Sequence, residues 1–342
     1  MATSQRVGEL DALRGLAAFG VMVFHYTTQY GREIGHTPEL AFGFPPGNYG
    51  VNLFFLISGY VIFMTLERTH TAADFVVSRF SRLYPAYWAA MLVTSCIVYT
   101  IGMSQQRIPA SDWWLDVTMM QQILGGEHLD GSYWTLQVEL FFYLIMLTLF
   151  MLGWLRAIRL VLVCWLSLSA VHAVSQLGHL HFSYTLREML ILRHIPYFAL
   201  GILFYFRHMG RALSRVDTPL MIACIVIAWL SGGAVMLLVA VACTVIFVLF
   251  TKDRLAFLRT PILLWLGGLS YPLYLVHSAV GLAVMHALEA RAIPPSAAIS
   301  VAIGLALLLA ILLHHMVELP ALRMIRAAWY GRNEEHLSKT VP

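Results

Sequence analysis

Charge is scarce in this sequence. Acidic and basic residues make up 12% of its 342 residues, against about 25% in a soluble domain, too few to clothe a water-exposed surface. With 59% of the chain hydrophobic, the composition is that of an integral membrane protein. The net charge of +4 is too small for a nucleic-acid binder, and no nucleic acid is expected as a partner. Cysteine is nearly absent. Cys96, Cys164, Cys224 and Cys243 each lie inside an apolar run, which excludes a disulfide framework and leaves them as small core residues. No compact His and carboxylate spacing offers a coordination set, so no metal is expected. Also missing are the G-x-x-x-x-G-K-[ST] phosphate loop, the dinucleotide glycine pattern, H-E-x-x-H and G-x-S-x-G, which removes the usual soluble-enzyme templates. The first apolar run, from about Leu13, lacks a small-residue cleavage pattern and holds polar groups, so it reads as a retained helix rather than a signal peptide.

What the chain has in abundance is apolar sequence of spanning length. About 20 residues cross a bilayer, and ten such runs can be placed, at 12–30, 49–66, 83–103, 134–153, 158–177, 186–206, 218–232, 233–251, 262–288 and 296–326. The expected fold is therefore an all-α bundle of about ten transmembrane helices, one domain over residues 1–342 with no appended soluble domain. Only Ser231, Gly232 and Gly233 separate the seventh and eighth runs, so one overlong helix is the rival reading. Charge separates the two. With ten spans and the N-terminus inside, every Lys and Arg except Arg32, Arg107, Arg187, Arg193 and Arg291 falls on the cytoplasmic side, the bias of the positive-inside rule. Fusing the two runs would put Lys252, Arg254 and Arg259 outside. Both termini are thus expected in the cytoplasm, and a bacterial chain is expected in the inner membrane. The longest connection, 104–133, contains "SDWWLDVTMMQQIL", where Ser111 is placed to cap a short helix and Trp113 and Trp114 suit the membrane interface.

A charge inside a span costs at least about 2.5–3.5 kcal/mol, so ionisable residues there face a protein interior or an aqueous cavity. "LDALRGLAAFGVMVFHY" (10–26) puts Asp11, Arg14 and His25 in the first span. At about 100° per residue, Arg14 and His25 return to nearly one face, about 16 Å apart; His25 reads equally as a histidine bonded to a neighbouring helix. "GVNLFFLISGY" (50–60) adds Asn52 and Ser58 to the second span, and its glycines also suit close helix packing. "SRFSRLYPAYW" (78–88) sets Arg79 and Arg82 one turn apart. Two guanidinium forks on one face can clamp phosphate, while basic residues at an inner boundary also simply anchor topology.

"GSYWTLQVELFFYL" (131–144) places Glu139 about 9 Å below the outer face, close to the depth of His25 at about 7 Å. If the two helices are adjacent, the carboxylate can orient the imidazole. "LRHIPYFALG" (192–201) carries Arg193 beside Pro196, as in a broken helix lining a cavity. "LGGLSYPLYLVH" (266–277) sets Tyr271 one turn before Tyr274, with His277 in the outer half. Glu318, near the inner end of the last run, reads as the partner of a basic residue.

In order along the chain, "LDALRGLAAFGVMVFHY", "GVNLFFLISGY", "RFSRLYPAYW", "YWTLQVELFFY" and "LSYPLYLVH" resemble five signatures of the membrane acyltransferase-3 family. The resemblance implies O-acylation of a carbohydrate or related hydroxyl acceptor, usually acetylation from acetyl-CoA, with Arg14, His25, Arg79 and Arg82 as functional positions. Many members carry a second acidic residue after the one matching Glu139, where this chain has Leu140. Some append a periplasmic hydrolase-like domain, which this chain is expected to lack.

These readings suggest a route. The donor's phosphates sit at Arg79 and Arg82, the thioester reaches inward past Arg14, and His25 acts as general base on the acceptor hydroxyl with Glu139 as its partner. A covalent acyl-histidine relay is the alternative. Asp11, Asn52, Ser58, Arg193, Tyr271 and His277 are candidates to line the pocket. Acyl-CoA enters as donor substrate with no bound cofactor, and the expected partners are acyl-CoA, a carbohydrate or glycolipid-type hydroxyl acceptor and membrane lipids. The competing class is a proton-coupled transporter of a small polar solute, because titratable groups across spans also move ions. The arginine pair, wanted by a phosphate-bearing donor, argues for the enzyme.

Overall fold

A bilayer offers no water to backbone polar groups, so a spanning chain must close its hydrogen bonds within helices or a barrel. The computed structural model describes residues 8–176, 178, 182–210 and 214–340, with side chains up to Gly331. Arg6, Arg211 and the side chains of Arg332 and Lys339, counted above on the basic side, lie outside the described residues. Among the described residues every long element is a helix and there is no strand.

Helix α1, Gly8–Phe24, runs straight into a π-helical turn, His25–Gln29. Helix α2 is Gly50–Glu67 and α3 is Ala72–Ile101. The latter begins well before the expected 83 because Thr71 and Asp74 form a reciprocal cap: the Asp74 N–H donates to Thr71 Oγ1 at 3.1 Å and the Thr71 N–H to Asp74 Oδ2 at 3.2 Å. Arg79 and Arg82 consequently sit inside a helix rather than ahead of one. Next come α4, Trp134–Met151, and α5, Ile158–Ser175. The run expected at 186–206 is broken, into Tyr184–Met189 and α6, Ile195–His208, with Pro196 in the first turn of α6, where its missing N–H costs nothing.

Helix α7, Asp217–Thr251, is interrupted by Gly232 (φ −156°, ψ 21°) and Gly233 (φ 66°, ψ −155°). At Gly233 the left-handed φ is the reason for glycine. The flanking arms fold back on each other. Asp217 at the start of α7 holds Arg159 at 2.7 Å, and that guanidinium lies 4.7 Å from the Phe206 ring near the end of α6. Phe250 at the finish of α7 lies 5.0 Å from His208, also at the end of α6. Both ends of α7 therefore meet the same end of α6, which excludes the single overlong helix.

Helices α8, Pro261–Val276, and α9, Ser278–Glu289, meet at His277 and are bent by 68°. Helix α10, Pro295–Leu313, continues through a second π-helical turn, His314–Glu318, into α11, Leu319–Thr340. In that turn Glu318 pairs with His314, a basic residue four positions earlier, at 2.7 Å.

Among the described residues, six helices are long and apolar enough to cross a membrane, or seven if α8 and α9 form one bent span. At 14 residues, α6 is too short to cross on its own. Close approach is bought by glycine at two crossings: a Cβ on Gly15 or Gly267 would strike the backbone across the α1–α8 contact, and one on Gly59 or Gly201 would do so between α2 and α6.

The 104–130 connection folds back along α3. Trp113 Nε1 donates to Ser95 Oγ at 2.8 Å, Tyr87 Oη to the Asp116 carbonyl at 2.7 Å and Trp88 Nε1 to the Val117 carbonyl at 3.0 Å. Its short helix, Ala110–Asp116, follows Pro109. Ser111 lies within the first turn and donates to Asp112 Oδ1 at 2.8 Å, so it is not the cap that its sequence position suggested. Trp114 is exposed while Trp113 is held against α3.

Candidate active site

Two cavities lie along α1, one beside Arg14 and one beside His25, and they share the side chains of Val51 and Tyr274. The first is a narrow space of about 40 Å³ walled by Arg14, Glu139, Ser270, Tyr271 and Tyr274. The second, about 340 Å³, is walled by His25, Gln29, Arg32, Glu33, Ser132 and Ser278. A single helix thus presents a cation to one chamber and an imidazole to the next.

Cations gather at the narrow end. Arg82 of α3 stands within electrostatic range of both Arg79, one turn away, and Arg14 of α1. Arg326 of α11 joins them: its Nη2 donates to Ser78 Oγ at 3.2 Å, and Arg79 Nη2 donates to the same oxygen at 3.2 Å. Helix α11 is held beside α3 by Trp329 Nε1, which donates to Asp74 Oδ1 at 2.8 Å. None of these four guanidinium groups makes an ion pair with a carboxylate among the described residues. The Nε atoms of Arg14 and Arg79 are buried without a hydrogen-bond partner. Converging guanidinium groups with unused donors form a binding geometry for a multiply charged anion such as phosphate.

In the sequence alone Arg326 is only one of the basic residues on the cytoplasmic side. The available signal was its one-turn spacing from Arg323 in "ALRMIRAAWY", which repeats the spacing of Arg79 and Arg82. Only the docking of α11 on α3 gives that spacing meaning.

Glu139 belongs to this end and not to His25. Its Oε1 accepts from Ser58 Oγ at 2.7 Å and from Tyr143 Oη at 2.5 Å, and its charge acts on Arg14 and Arg79. Similar depth in the bilayer did not make the two residues partners, because the ring beside His25 is that of His277, at the corner between α8 and α9. Ser58 enters the site through Glu139, and Asp11 acts electrostatically on Arg14 from three residues away. Tyr271 lines the narrow chamber while donating to the Leu83 carbonyl at 2.8 Å. Asn52 is turned instead toward the Tyr197 hydroxyl of α6. Arg193 is exposed; the next side chain, His194, points inward against Phe55 and Trp134 at 5.1 and 5.4 Å, both residues lying in the turn that precedes α6.

At the wide end His25 begins the π-helical turn, an irregularity that often marks functional positions. Its ring lies 4.9 Å from that of His277, the planes 32° apart. Tyr274, between the two chambers, accepts from Thr135 Oγ1 at 2.8 Å. Near by, Asp130 is fully buried and accepts from the Ser132 and Ala279 N–H groups at 2.8 and 2.7 Å. Among the described residues no group of three or more metal-binding side chains occurs.

A family model described as an acyltransferase domain matches residues 7–315, and the chain belongs to this acyltransferase-3 family. Among curated proteins it is 25% identical over 154 residues to acyltransferase MdmB of Streptomyces mycarofaciens, covering 41% of this chain and 38% of that protein. It is 30% identical over 156 residues to nodulation protein 10 of Rhizobium leguminosarum bv. viciae, covering 39% of this chain and 41% of the relative. A 103-residue stretch is 31% identical to protein 2 in the picA locus of Rhizobium radiobacter, 28% of this chain and 48% of that one. The aligned part thus spans less than half the length of each of these relatives. No solved structure matches. The class of protein follows: a multi-pass membrane member of the acyltransferase-3 family.

Proposed function

We propose that the protein moves an acetyl group from cytoplasmic acetyl-CoA to a hydroxyl of a carbohydrate or related acceptor. The reading places both termini in the cytoplasm, ten crossings and, in a bacterium, the inner membrane. The observation that carries it is the pair of adjoining chambers on α1, with the arginine cluster at one end and His25 at the other. Phosphates of the donor engage Arg79, Arg82 and Arg326, and the acylated arm enters past Arg14 toward Tyr274. The acceptor occupies the wider chamber, whose polar walls suit a polyhydroxylated molecule. His25 takes the hydroxyl proton as the acceptor oxygen attacks the thioester carbon; the C–S bond breaks, and the thiolate recovers the proton to leave as free CoA.

The printed description of MdmB as an acyltransferase is in keeping with this chemistry. The test is acceptor-dependent release of free thiol from acetyl-CoA by the purified protein, read against a panel of glycan hydroxyl acceptors. Release that requires both protein and acceptor supports the reading. Solute counterflow in proteoliposomes with no thiol release would replace it with transport.

A further inference from the structure

His277 has an arrangement that packing alone does not require. It is fully buried at the corner where α8 turns into α9. Its carbonyl accepts from Tyr26 Oη at 2.7 Å, which ties the corner to the start of the π-helical turn. Its Nδ1 lies 2.8 Å from the Tyr274 carbonyl. A carbonyl can only accept, so Nδ1 carries the proton and Nε2 carries the lone pair. That Nε2 is buried with no partner, and so is Nδ1 of His25. The two rings are neighbours at 4.9 Å, and this separation lets one nitrogen of each ring come to about 2.8–3.0 Å on rotation of the His25 side chain. An unpartnered ring nitrogen of His25 stands beside an acceptor lacking a donor.

We infer that His277 is the positioning residue for His25. Its Nε2 accepts the His25 Nδ1–H, which leaves the His25 Nε2 lone pair facing the acceptor chamber. This rests on the reading of His25 as the base. The relationship follows the general logic in which a base is oriented by a third group, with a neutral imidazole where Glu139 was expected. During transfer the acceptor proton moves to His25 Nε2 and then to the departing thiolate. His277 keeps its own Nδ1 proton throughout, donated to Tyr274, and stabilises the transient His25 imidazolium by accepting from it. The other titratable groups around His277 are Asp130, Tyr26, Tyr274 and Tyr133.

Two substitutions separate positioning from structure. His277→Asn keeps a donor for the Tyr274 carbonyl but loses the acceptor at the Nε2 position. His277→Gln reaches that position with its amide oxygen and gives up the Tyr274 bond. Positioning predicts that kcat for acceptor-dependent thiol release falls about 10²-fold or more in His277→Asn and recovers at least about tenfold in His277→Gln, with CoA affinity unchanged in both. It also predicts that the acid limb of the kcat profile moves to lower pH in His277→Asn, because the imidazolium of His25 loses its acceptor. A purely structural histidine predicts the reverse order, Asn at or above Gln, in kcat and melting temperature alike; that result overturns the proposal. His25→Ala runs beside them. If His25→Ala still transfers, the base reading itself fails. If it is inert while both His277 variants match the parent, only the positioning role falls.

Discussion

Arg79 and Arg326, from helices at opposite ends of the sequence, donate to one oxygen, Ser78 Oγ, each at 3.2 Å. Two like charges brought to one hydroxyl repel unless an anion lies between or beside them. If that anion is a donor phosphate, Arg326→Ala should raise KM for acetyl-CoA about tenfold to a hundredfold, the range for losing a charge-assisted bond. KM for S-acetylpantetheine, which has the thioester but no phosphates, should not change. Equal effects on both donors would reduce Arg326 to a helix clip.

The position of Glu139 among the arginines separates its role from that of His25. His25→Ala should lower kcat about 10² to 10⁴-fold with donor affinity and melting temperature near those of the parent. Glu139→Gln, by contrast, keeps an acceptor for Ser58 and Tyr143 but removes the charge near Arg14 and Arg79. It should alter donor affinity and leave the acid limb of the kcat profile in place. Isothermal titration with CoA and a pH series on both variants provide the comparison. A moved acid limb in Glu139→Gln would restore the carboxylate to the catalytic base.

The return of α7 upon itself puts the connection at 252–259 at the same end of the bundle as Asp217. In a variant freed of its four cysteines, a single cysteine replacing Ala256 should resist a membrane-impermeant thiol reagent in intact cells, and one replacing Ser231 should react. Labelling at position 256 from outside would overturn the proposed orientation.

Burial pushes the Asp116 carboxyl, in the connection that lies along α3, up to about 7, with Asp130 and Asp112 adding to the rise and the bond from the Leu129 N–H opposing it. One of its oxygens is buried without a partner. A carboxyl raised in the folded state holds its proton there while the unfolded chain has already lost it. Stability therefore falls as pH rises from about 4 through about 7. Asp116→Asn retains an acceptor for Leu129 without the charge. Its melting temperature in detergent should exceed that of the parent above pH 7 and converge with it near pH 4. Parallel curves across that range would show that Asp116 does not titrate there.

Much of this molecule is local in origin and was legible as such. Membrane-spanning length and the need to satisfy every backbone group marked the helices, and two consecutive glycines marked the turn in α7. Pro196 signalled the break before α6, although the break lies just ahead of it. The start of α3 was misjudged because its first turns are polar, and only the Thr71–Asp74 cap explains why they are helical.

By itself the sequence determined the class of protein, its family and the presence of cations and a histidine on the first helix, since these depend on composition and on spacing within one element. Which side chains meet was decided only by tertiary structure. Depth in a bilayer is one coordinate, whereas contact needs three: a neighbouring helix, its rotation at about 100° per residue and its axial offset. Those put His25 against His277 and not Glu139 and brought Arg326 to Ser78, because each pairing depends on helices packed side by side that the chain connects only at long range.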